Sequence, residues 1–294
     1  MASEQIAIKS SKTQSKVKSI MALTKMRLSF LVVISSVSGY LFAKGGFGLN
    51  FWFLIIGGYL ITGASNAFNQ IIERELDKKM PRTAKRPLPT NNMTINEAMM
   101  WAVGMAVLGA IILFQINFFS GILGIMALCM YVFIYTPMKR VSPWAVFVGA
   151  FPGAIPPMLG VVAVEGEFSL LAGIMFLVQF VWQFPHFWAI AWVSDEDYAK
   201  GGFSLLPSKG RKDQRSANII LLSSILLVPA GILPYLFNFT GVVSLIIGLL
   251  SGLWFLYITI QFYKTLDDKL ARKLMFASFI YLPIIQFLYV FNHI

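Results

Sequence analysis

The sequence has little charge and almost no cysteine or histidine. Only 13% of its 294 residues are charged, one residue is cysteine (Cys129) and two are histidine. The low charge excludes an ordinary soluble domain, and the single cysteine excludes a disulfide framework or a cysteine-rich metal site. Residues 2–20 have no apolar core, and they carry Glu4 with no arginine before Arg27. We therefore expect neither a cleaved signal peptide nor a mitochondrial presequence.

The sequence is rich in long apolar segments, and 57% of its residues are hydrophobic and 15% are aromatic. A spanning helix needs about 20 apolar residues, and in hydrocarbon the backbone must satisfy its own hydrogen bonds, which forces helices. We predict an all-α polytopic integral membrane protein with about nine transmembrane helices. The predicted spans are 28–42 (whose start can move back toward Met21), 51–71, 95–114, 118–135, 143–164, 168–193, 217–237, 242–263 and 274–291.

The 24 Lys and Arg residues fall almost entirely on one side of the predicted membrane. They lie in the tail up to Arg27 and in the connections after the second, fourth, sixth and eighth helices. Only Lys44 lies on the other side, with Glu165 and Glu167. The positive-inside rule places the N-terminus in the cytoplasm and the C-terminus outside, and a bacterial inner membrane is the simplest location. Contact with anionic lipid explains part of this bias. The spread of the charge argues against nucleic acid as a partner.

The chain divides into a basic cytoplasmic tail, 1–20, and one transmembrane domain, 21–294. Within the domain we predict two half-repeats, about 21–140 and 141–263, followed by an extra helix at 274–291. In each half the second helix ends in acidic residues and opens a long loop on the cytoplasmic side. Internal repeats of membrane proteins commonly hold the functional site between them, so we expect the site at this face.

The strongest motif is Asn69, Glu73 and Asp77, whose spacing places them on one face at the end of the second helix. Asn66 and Gln70 extend the same polar stripe toward the apolar interior. Oxygen ligands of this kind suit Mg²⁺, which binds few carboxylates and shares its shell with water and phosphate. The alternative is a helix end paired with the bases that follow it, an arrangement of little energetic weight. Those bases are Lys78, Lys79, Arg82, Lys85 and Arg86.

A second motif ends the fourth helix, where Tyr131 and Tyr135 precede Lys139 and Arg140 at helical spacing. An aromatic belt followed by cytoplasmic bases explains this pattern by itself. The functional alternative is that Lys139 and Arg140 bind a diphosphate.

A third motif, in the sixth helix, places Gln179, Gln183 and His186 on one polar stripe beside Pro185. Such residues often only hydrogen-bond a neighbouring helix. Neutral imidazole is also a haem-iron ligand, so both alternatives stay open for His186, and the same question applies to His293.

Together these residues resemble the intramembrane UbiA-type prenyltransferase superfamily, and within it the branch that farnesylates protohaem IX. The resemblance runs from about residue 20 to the C-terminus. The segments that carry it are 69–83, 86–89, 135–140, 149–160, 182–191 and Asp197-Tyr198.

The resemblance implies transfer of a farnesyl group from farnesyl diphosphate to a vinyl group of protohaem IX, giving haem O and diphosphate for terminal oxidases. Handover to a haem A synthase or an oxidase assembly protein would follow. The implied Mg²⁺ ligands are Asn69, Glu73, Asp77 and Asp197. The implied diphosphate ligands are Arg82, Arg86, Lys139 and Arg140, and the implied catalytic set is Asp77, Lys139, Arg140 and Asp197. The implied haem pocket contains Tyr135, Trp182, Gln183 and His186. Asp77→Ala is then expected to abolish turnover and to leave folding largely intact.

Two positions depart from the superfamily pattern. Glu73 stands where the middle Asp is usual, and its longer arm suggests that it reaches a metal through water. In the second half Asp195, Glu196 and Asp197 are contiguous, so they cannot all face one ion from a helix. We expect Asp197 to be the ligand, with Glu196 second.

Two other functions fit parts of the sequence. One is a prenyltransferase that acts on an aromatic quinone precursor. The other is a transporter whose path is lined by the polar stripes, but the outer halves of these helices are almost wholly apolar, which argues against a continuous polar path.

Overall fold

The computed structural model describes residues 16–294, so most of the predicted basic tail lies outside the described range. Within that range the regular structure is helical, with one isolated bridge between Thr240 and His293. The helices are α1 (Lys16–Leu23), α2 (Met26–Phe42), α3 (Leu49–Asp77), α4 (Ile95–Ile116), α5 (Phe118–Cys129), α6 (Thr136–Met138), α7 (Ala145–Glu165), α8 (Leu170–Val193), α9 (Asp195–Lys200), α10 (Gln214–Ala230), α11 (Leu233–Leu236), α12 (Val242–Thr265) and α13 (Asp268–Phe291).

The predicted all-α membrane architecture is confirmed. Eight helical segments of the described chain are long and apolar enough to span a bilayer, and α1 with α2 adds a ninth if the bent pair is one span. Helix α2 starts at Met26, two residues before the predicted residue 28, and it is bent by 48° relative to α1. The protein is a multi-pass membrane protein, and the two half-repeats stay a prediction.

Local capping explains where several helices begin. Thr94 Oγ1 accepts a hydrogen bond from the Glu97 N–H at 3.1 Å, while Glu97 Oε2 accepts one from the Thr94 N–H at 3.0 Å. This reciprocal capping box satisfies two N–H groups that the first turn of α4 leaves unpaired. Asn117 caps α5 in a similar way through Ser120, which makes the tight turn between α4 and α5 possible.

Helices α2 and α7 approach each other closely because each carries a glycine at the contact. A Cβ atom on Gly160 would lie 1.9 Å from the Ser36 carbonyl oxygen, and one on Gly39 would lie 2.0 Å from the Pro157 carbonyl oxygen. Backbone therefore packs against backbone here, as is common between small residues in membrane helices. This contact fixes α2 against the centre of the bundle.

A π-helical turn, Met130–Tyr135, joins α5 to α6 and makes Phe118–Met138 one continuous span. The Thr136 hydroxyl donates to the Tyr131 carbonyl at 2.8 Å and closes this wider turn. Such turns frequently occur at functional sites because the extra residue re-aims the side chains that follow. Here Lys139 follows α6, four residues after the turn ends at Tyr135.

Candidate active site

The first element of the site is a buried ion pair between Glu73, on α3, and Lys139, just after α6. Lys139 Nζ lies 2.5 Å from Glu73 Oε1, and the two side chains are only 11% and 5% exposed. The ammonium also lies 5.0 Å from the Tyr135 ring centroid and 5.6 Å from that of Phe203. Burial lowers the pKa of Lys139, while the Glu73 carboxylate acts to raise it. Glu73 is therefore the ion-pair partner of Lys139 in a largely desolvated place.

The second element pairs Asp77, the last residue of α3, with Arg86 from the loop that follows. Arg86 Nη1 donates to both carboxylate oxygens of Asp77, at 2.8 and 2.7 Å. Asp77 is fully buried, and the Thr83 hydroxyl donates to its backbone carbonyl at 3.0 Å. The loop therefore folds back over the end of α3, and Arg86 is held at the site.

The third element crosses from the first to the second half of the chain. Arg82 Nε lies 3.6 Å from Asp197 Oδ2, and the Arg82 guanidinium lies 5.7 Å from the Tyr198 ring centroid. Burial raises the pKa of Tyr198, whose hydroxyl interacts electrostatically with Arg82, Glu73, Arg86 and Asp197. The three ion pairs are thus close enough to form one cluster.

The three contiguous acids at the start of α9 have different surroundings. Asp197 contacts Arg82, Glu196 is exposed, and the half-buried Asp195 interacts electrostatically with Lys212. Burial raises the pKa of Asp195, which marks it as partly withdrawn from water. Asp197 is accordingly the acid of this group that lies against the cluster.

The polar residues of α3 that were predicted to form one stripe face two different directions. Asn69 Nδ2 donates to Thr136 Oγ1 at 3.2 Å, on the side of Glu73. Gln70 instead donates to the Ala22 and Leu23 carbonyls at the end of α1. The prediction that Gln70 extends the ligand stripe is wrong, because consecutive helical residues point about 100° apart.

The predicted metal set is not one coordination sphere in this structure. Within residues 16–294 no three His, Cys, Asp or Glu side chains lie close enough together to hold a single ion. Glu73 and Asp77 lie on α3 and Asp197 lies across the cluster, each paired with its own base. Arg140 is exposed, and its side chain makes no ion pair or hydrogen bond within the described residues, so its predicted place in the diphosphate site gains no support from contacts.

The predicted haem pocket is divided between two neighbouring helices. Gln183 Nε2 donates to the Ala150 carbonyl of α7 at 2.9 Å, whereas Trp182 Nε1 donates to the Ser278 carbonyl of α13 at 3.0 Å. His186 stacks on Trp182 with 4.3 Å between ring centroids. Gln183 and His186 therefore contact different helices and do not line one surface. The Tyr135 ring lies against Lys139 and packs on Gly149 of α7, one turn before Gly153, against which the Gln183 amide packs.

The hydrogen bonds of His186 determine its tautomer. The Ser278 hydroxyl donates to the Met275 carbonyl at 2.6 Å, so its single proton is committed. Ser278 Oγ lies 2.7 Å from His186 Nδ1 and must accept from it. His186 Nε2 then carries a lone pair. His293, by contrast, is exposed at the end of the chain, and its Nδ1–H donates to the Val290 carbonyl.

Comparison with known proteins assigns the family. The model of the UbiA prenyltransferase family matches residues 32–282. The chain belongs to this family. It is therefore a prenyltransferase, and the superfamily resemblance of its sequence is confirmed.

Curated relatives in the family align along almost the whole chain. Protoheme IX farnesyltransferase of Cytophaga hutchinsonii is 47% identical over 92% of this chain and 96% of its own length. The enzyme of the same name from Flavobacterium psychrophilum is 46% identical over 92% of both chains. Mitochondrial protoheme IX farnesyltransferase of Arabidopsis thaliana is 34% identical over 89% of this chain and 62% of its own.

Solved structures of the family share the fold. A digeranylgeranylglyceryl phosphate synthase superposes with a TM-score of 0.80 at 21% identity, covering 94% of this chain and 98% of its own. A UbiA homologue from Archaeoglobus fulgidus, bound to DMAPP and Mg²⁺, gives a TM-score of 0.67 at 14% identity, covering 92% and 99%. At these identities the likeness concerns the fold alone.

Two features of this prenyltransferase were not singled out from its sequence. Lys25 lies at the break between α1 and α2 and interacts electrostatically with the cluster, although in the sequence it is only one of the predicted cytoplasmic bases up to Arg27. The second feature is a stripe of aromatic rings along α7 and α8 that contact one another in stacked and edge-to-face pairs. Their spacing of four residues in sequence was the available signal. The stripe contains Phe147, Phe151, Phe176, Phe180, Phe184 and Trp188.

Proposed function

We propose that this prenyltransferase transfers the farnesyl group of farnesyl diphosphate to a vinyl group of protohaem IX, which gives haem O and diphosphate. The names of the relatives that align over 92% of the chain support this acceptor and this donor. The observation that carries the site is the meeting of three acid–base pairs from both halves of the chain on one face. We propose that this face is cytoplasmic, in a bacterial inner membrane, and that it lies between the two half-repeats.

The oxygen donors of the cluster fit Mg²⁺. Asn69 donates through its amide nitrogen to Thr136, which leaves its carbonyl oxygen as an acceptor beside Glu73. Mg²⁺ takes one or two carboxylates and completes its shell with water and substrate phosphate, so a single cage of three acids is not needed. Glu73 and Asp77 would hold Mg²⁺ on one side and Asp197 on the other. The bound metal would supply positive charge that stabilises the departing diphosphate.

Each acid of the cluster is paired with a cation that a diphosphate could use. Arg82, Arg86 and Lys139 hold Asp197, Asp77 and Glu73 respectively. When substrate binds, each ion pair would separate. The carboxylates would then bind the metal, and the three cations would bind the phosphate oxygens. Since each pair exchanges both partners together, we expect Mg²⁺ and diphosphate to bind cooperatively.

In the proposed reaction the protein stabilises charge and positions the two substrates. The C–O bond of farnesyl diphosphate breaks, and the diphosphate leaves with the electron pair. The terminal vinyl carbon of haem bonds the farnesyl carbon, and water adds to the resulting haem-side cation and loses a proton. Arg82, Arg86 and Lys139 would stabilise the charge on the leaving group, and the Tyr135 ring beside Lys139 would shield the allylic cation. No protein nucleophile is required.

A reconstitution assay tests this function. Purified protein in lipid nanodiscs would receive Mg²⁺, farnesyl diphosphate and either haem b or a hydroxybenzoate, with a chelator arm as control. We expect haem O in the haem arm, detected by chromatography and mass, and none with the chelator. Prenylated hydroxybenzoate with unchanged haem b would refute the proposed acceptor in favour of a quinone precursor.

A further inference from the structure

Lys25 differs from the other cations of the cluster because it has no acidic partner. Arg82, Arg86 and Lys139 are each committed to one carboxylate. The Lys25 ammonium makes no ion pair or side-chain hydrogen bond within the part of the chain that the structure describes. Its charge is repelled by Arg86 and Lys139 and attracted by Glu73 and Asp77, so it interacts electrostatically with both signs of charge in the cluster.

The backbone holds Lys25 in an unusual conformation. Its φ of 46° and ψ of 54° lie in the left-handed region, which residues other than glycine adopt rarely and at a cost in free energy. This single residue ends α1 and starts α2 in a new direction. Strained backbone persists where the surroundings over-determine it, and it concentrates at functional sites.

Side chains from α3 provide those surroundings. Gln70 Nε2 donates to the Ala22 and Leu23 carbonyls at 2.9 and 2.8 Å at the end of α1, where the Ala22 carbonyl also accepts the Lys25 N–H at 3.3 Å. Asn66 Nδ2 reaches Ser29 Oγ at 3.2 Å and the Thr24 carbonyl at 3.4 Å. The helix that carries Glu73 and Asp77 therefore also fixes the break that carries Lys25.

The outer side of the same break is an apolar groove of about 670 Å³. Two bases line it, Lys25 and Arg27, and its other lining residues are apolar: Met21, Ala22, Met26, Leu28 and Phe30. One lysine thus joins a lipid-facing apolar groove to an acid–base cluster. This arrangement fits an amphiphile with an apolar chain and an anionic diphosphate head.

We propose that Lys25 binds the diphosphate of the prenyl donor, and that Gln70 and Asn66 are positioning residues that hold it there. The assignment rests on the proposed function. An incoming diphosphate can meet this cation without separating an existing ion pair, which is the reason to expect a large effect on binding. Charge-assisted hydrogen bonds to phosphate are the strong class of such contacts.

The test is a calorimetric titration of the whole protein in nanodiscs with inorganic diphosphate and Mg²⁺. Lys25→Met should raise Kd about tenfold or more, the loss expected for one charge-assisted hydrogen bond, and Lys25→Arg should bind far better than Lys25→Met. Lys25→Gly relieves the strain of the left-handed backbone, yet it should bind diphosphate as weakly as Lys25→Met. The matched control is Lys44→Met, since Lys44 also has a left-handed φ, 62°, and lies beyond the other end of α2.

Several results would overturn the assignment. Unchanged binding in Lys25→Met would do so, and so would normal binding in Lys25→Gly with weak binding in Lys25→Met, since the backbone would then be responsible. An effect that appears only when the nanodisc contains phosphatidylglycerol would assign Lys25 to lipid headgroups. Failure of the unsubstituted protein to bind diphosphate would overturn the proposed function itself.

A second variant tests the positioning role. Gln70→Leu should weaken diphosphate binding, and the double variant with Lys25→Met should bind no more weakly than Lys25→Met alone. A purely structural role of Gln70 would instead make the two losses additive, and additive losses would refute positioning through Lys25.

Discussion

Asp77 and Arg86 provide the sharpest test of how the site is held together. Arg86 Nη1 contacts both carboxylate oxygens of Asp77, which is fully buried, while the Arg86 side chain keeps 18% exposure. Removing one partner of a buried pair costs about 3–5 kcal/mol because the other charge is stranded. The expectation that Asp77→Ala leaves folding largely intact therefore conflicts with the burial of this pair.

The two single substitutions should lower the free energy of unfolding by different amounts. Asp77→Asn strands a guanidinium that can still reach water, so we expect a loss of about 3 kcal/mol in the free energy of unfolding, the lower end of that range. Arg86→Gln strands a carboxylate with no exposure, so we expect about 5 kcal/mol. The double variant leaves two neutral amides, and it should be more stable than either single variant.

Denaturant titration of the purified variants in mixed micelles, followed by circular dichroism, measures this cycle. The control pair is Glu75 and Lys78, which are as close, at 2.9 Å, but 65% and 49% exposed. Neutralising either of them should change stability little, because exposed pairs contribute little. A double variant of Asp77 and Arg86 that is less stable than both single variants would refute the reasoning.

Three other outcomes follow from the structure. Gly160→Ala should destabilise the protein by about 3 kcal/mol in the same titration, because its Cβ would lie 1.9 Å from a backbone oxygen, whereas Gly104→Ala, with nothing within 4 Å, should be tolerated. Lys139→Gln should lower the rate of prenyl transfer about 100-fold in a turnover assay, whereas Arg140→Gln, at an exposed position, should leave the rate near normal. Equal losses of rate in the two variants would show that Arg140 also acts at the site. Chelation of Mg²⁺ should abolish turnover and readdition should restore it, and turnover that persists in chelator would remove the metal from the scheme.

Much of the fold could be predicted because the bilayer imposes strong constraints on sequence. Apolar length specified the spans, and the spacing of Asn69, Glu73 and Asp77 indicated the acidic end of α3. The break at Lys25 escaped prediction, since it contains no proline or glycine and is held by side chains from another helix.

The candidate site, like the fold, could be predicted only in part from the sequence. The sequence by itself determined a helical membrane protein and named acids and bases that could serve a metal–diphosphate site, because composition and helical spacing are local properties. The family followed from the resemblance of its motifs to UbiA prenyltransferases. Only the tertiary structure decided which base meets which acid, that Gln70 supports the α1–α2 break, and that Lys25 reaches the cluster. Those contacts join residues far apart in sequence, and their partners depend on how the helices pack.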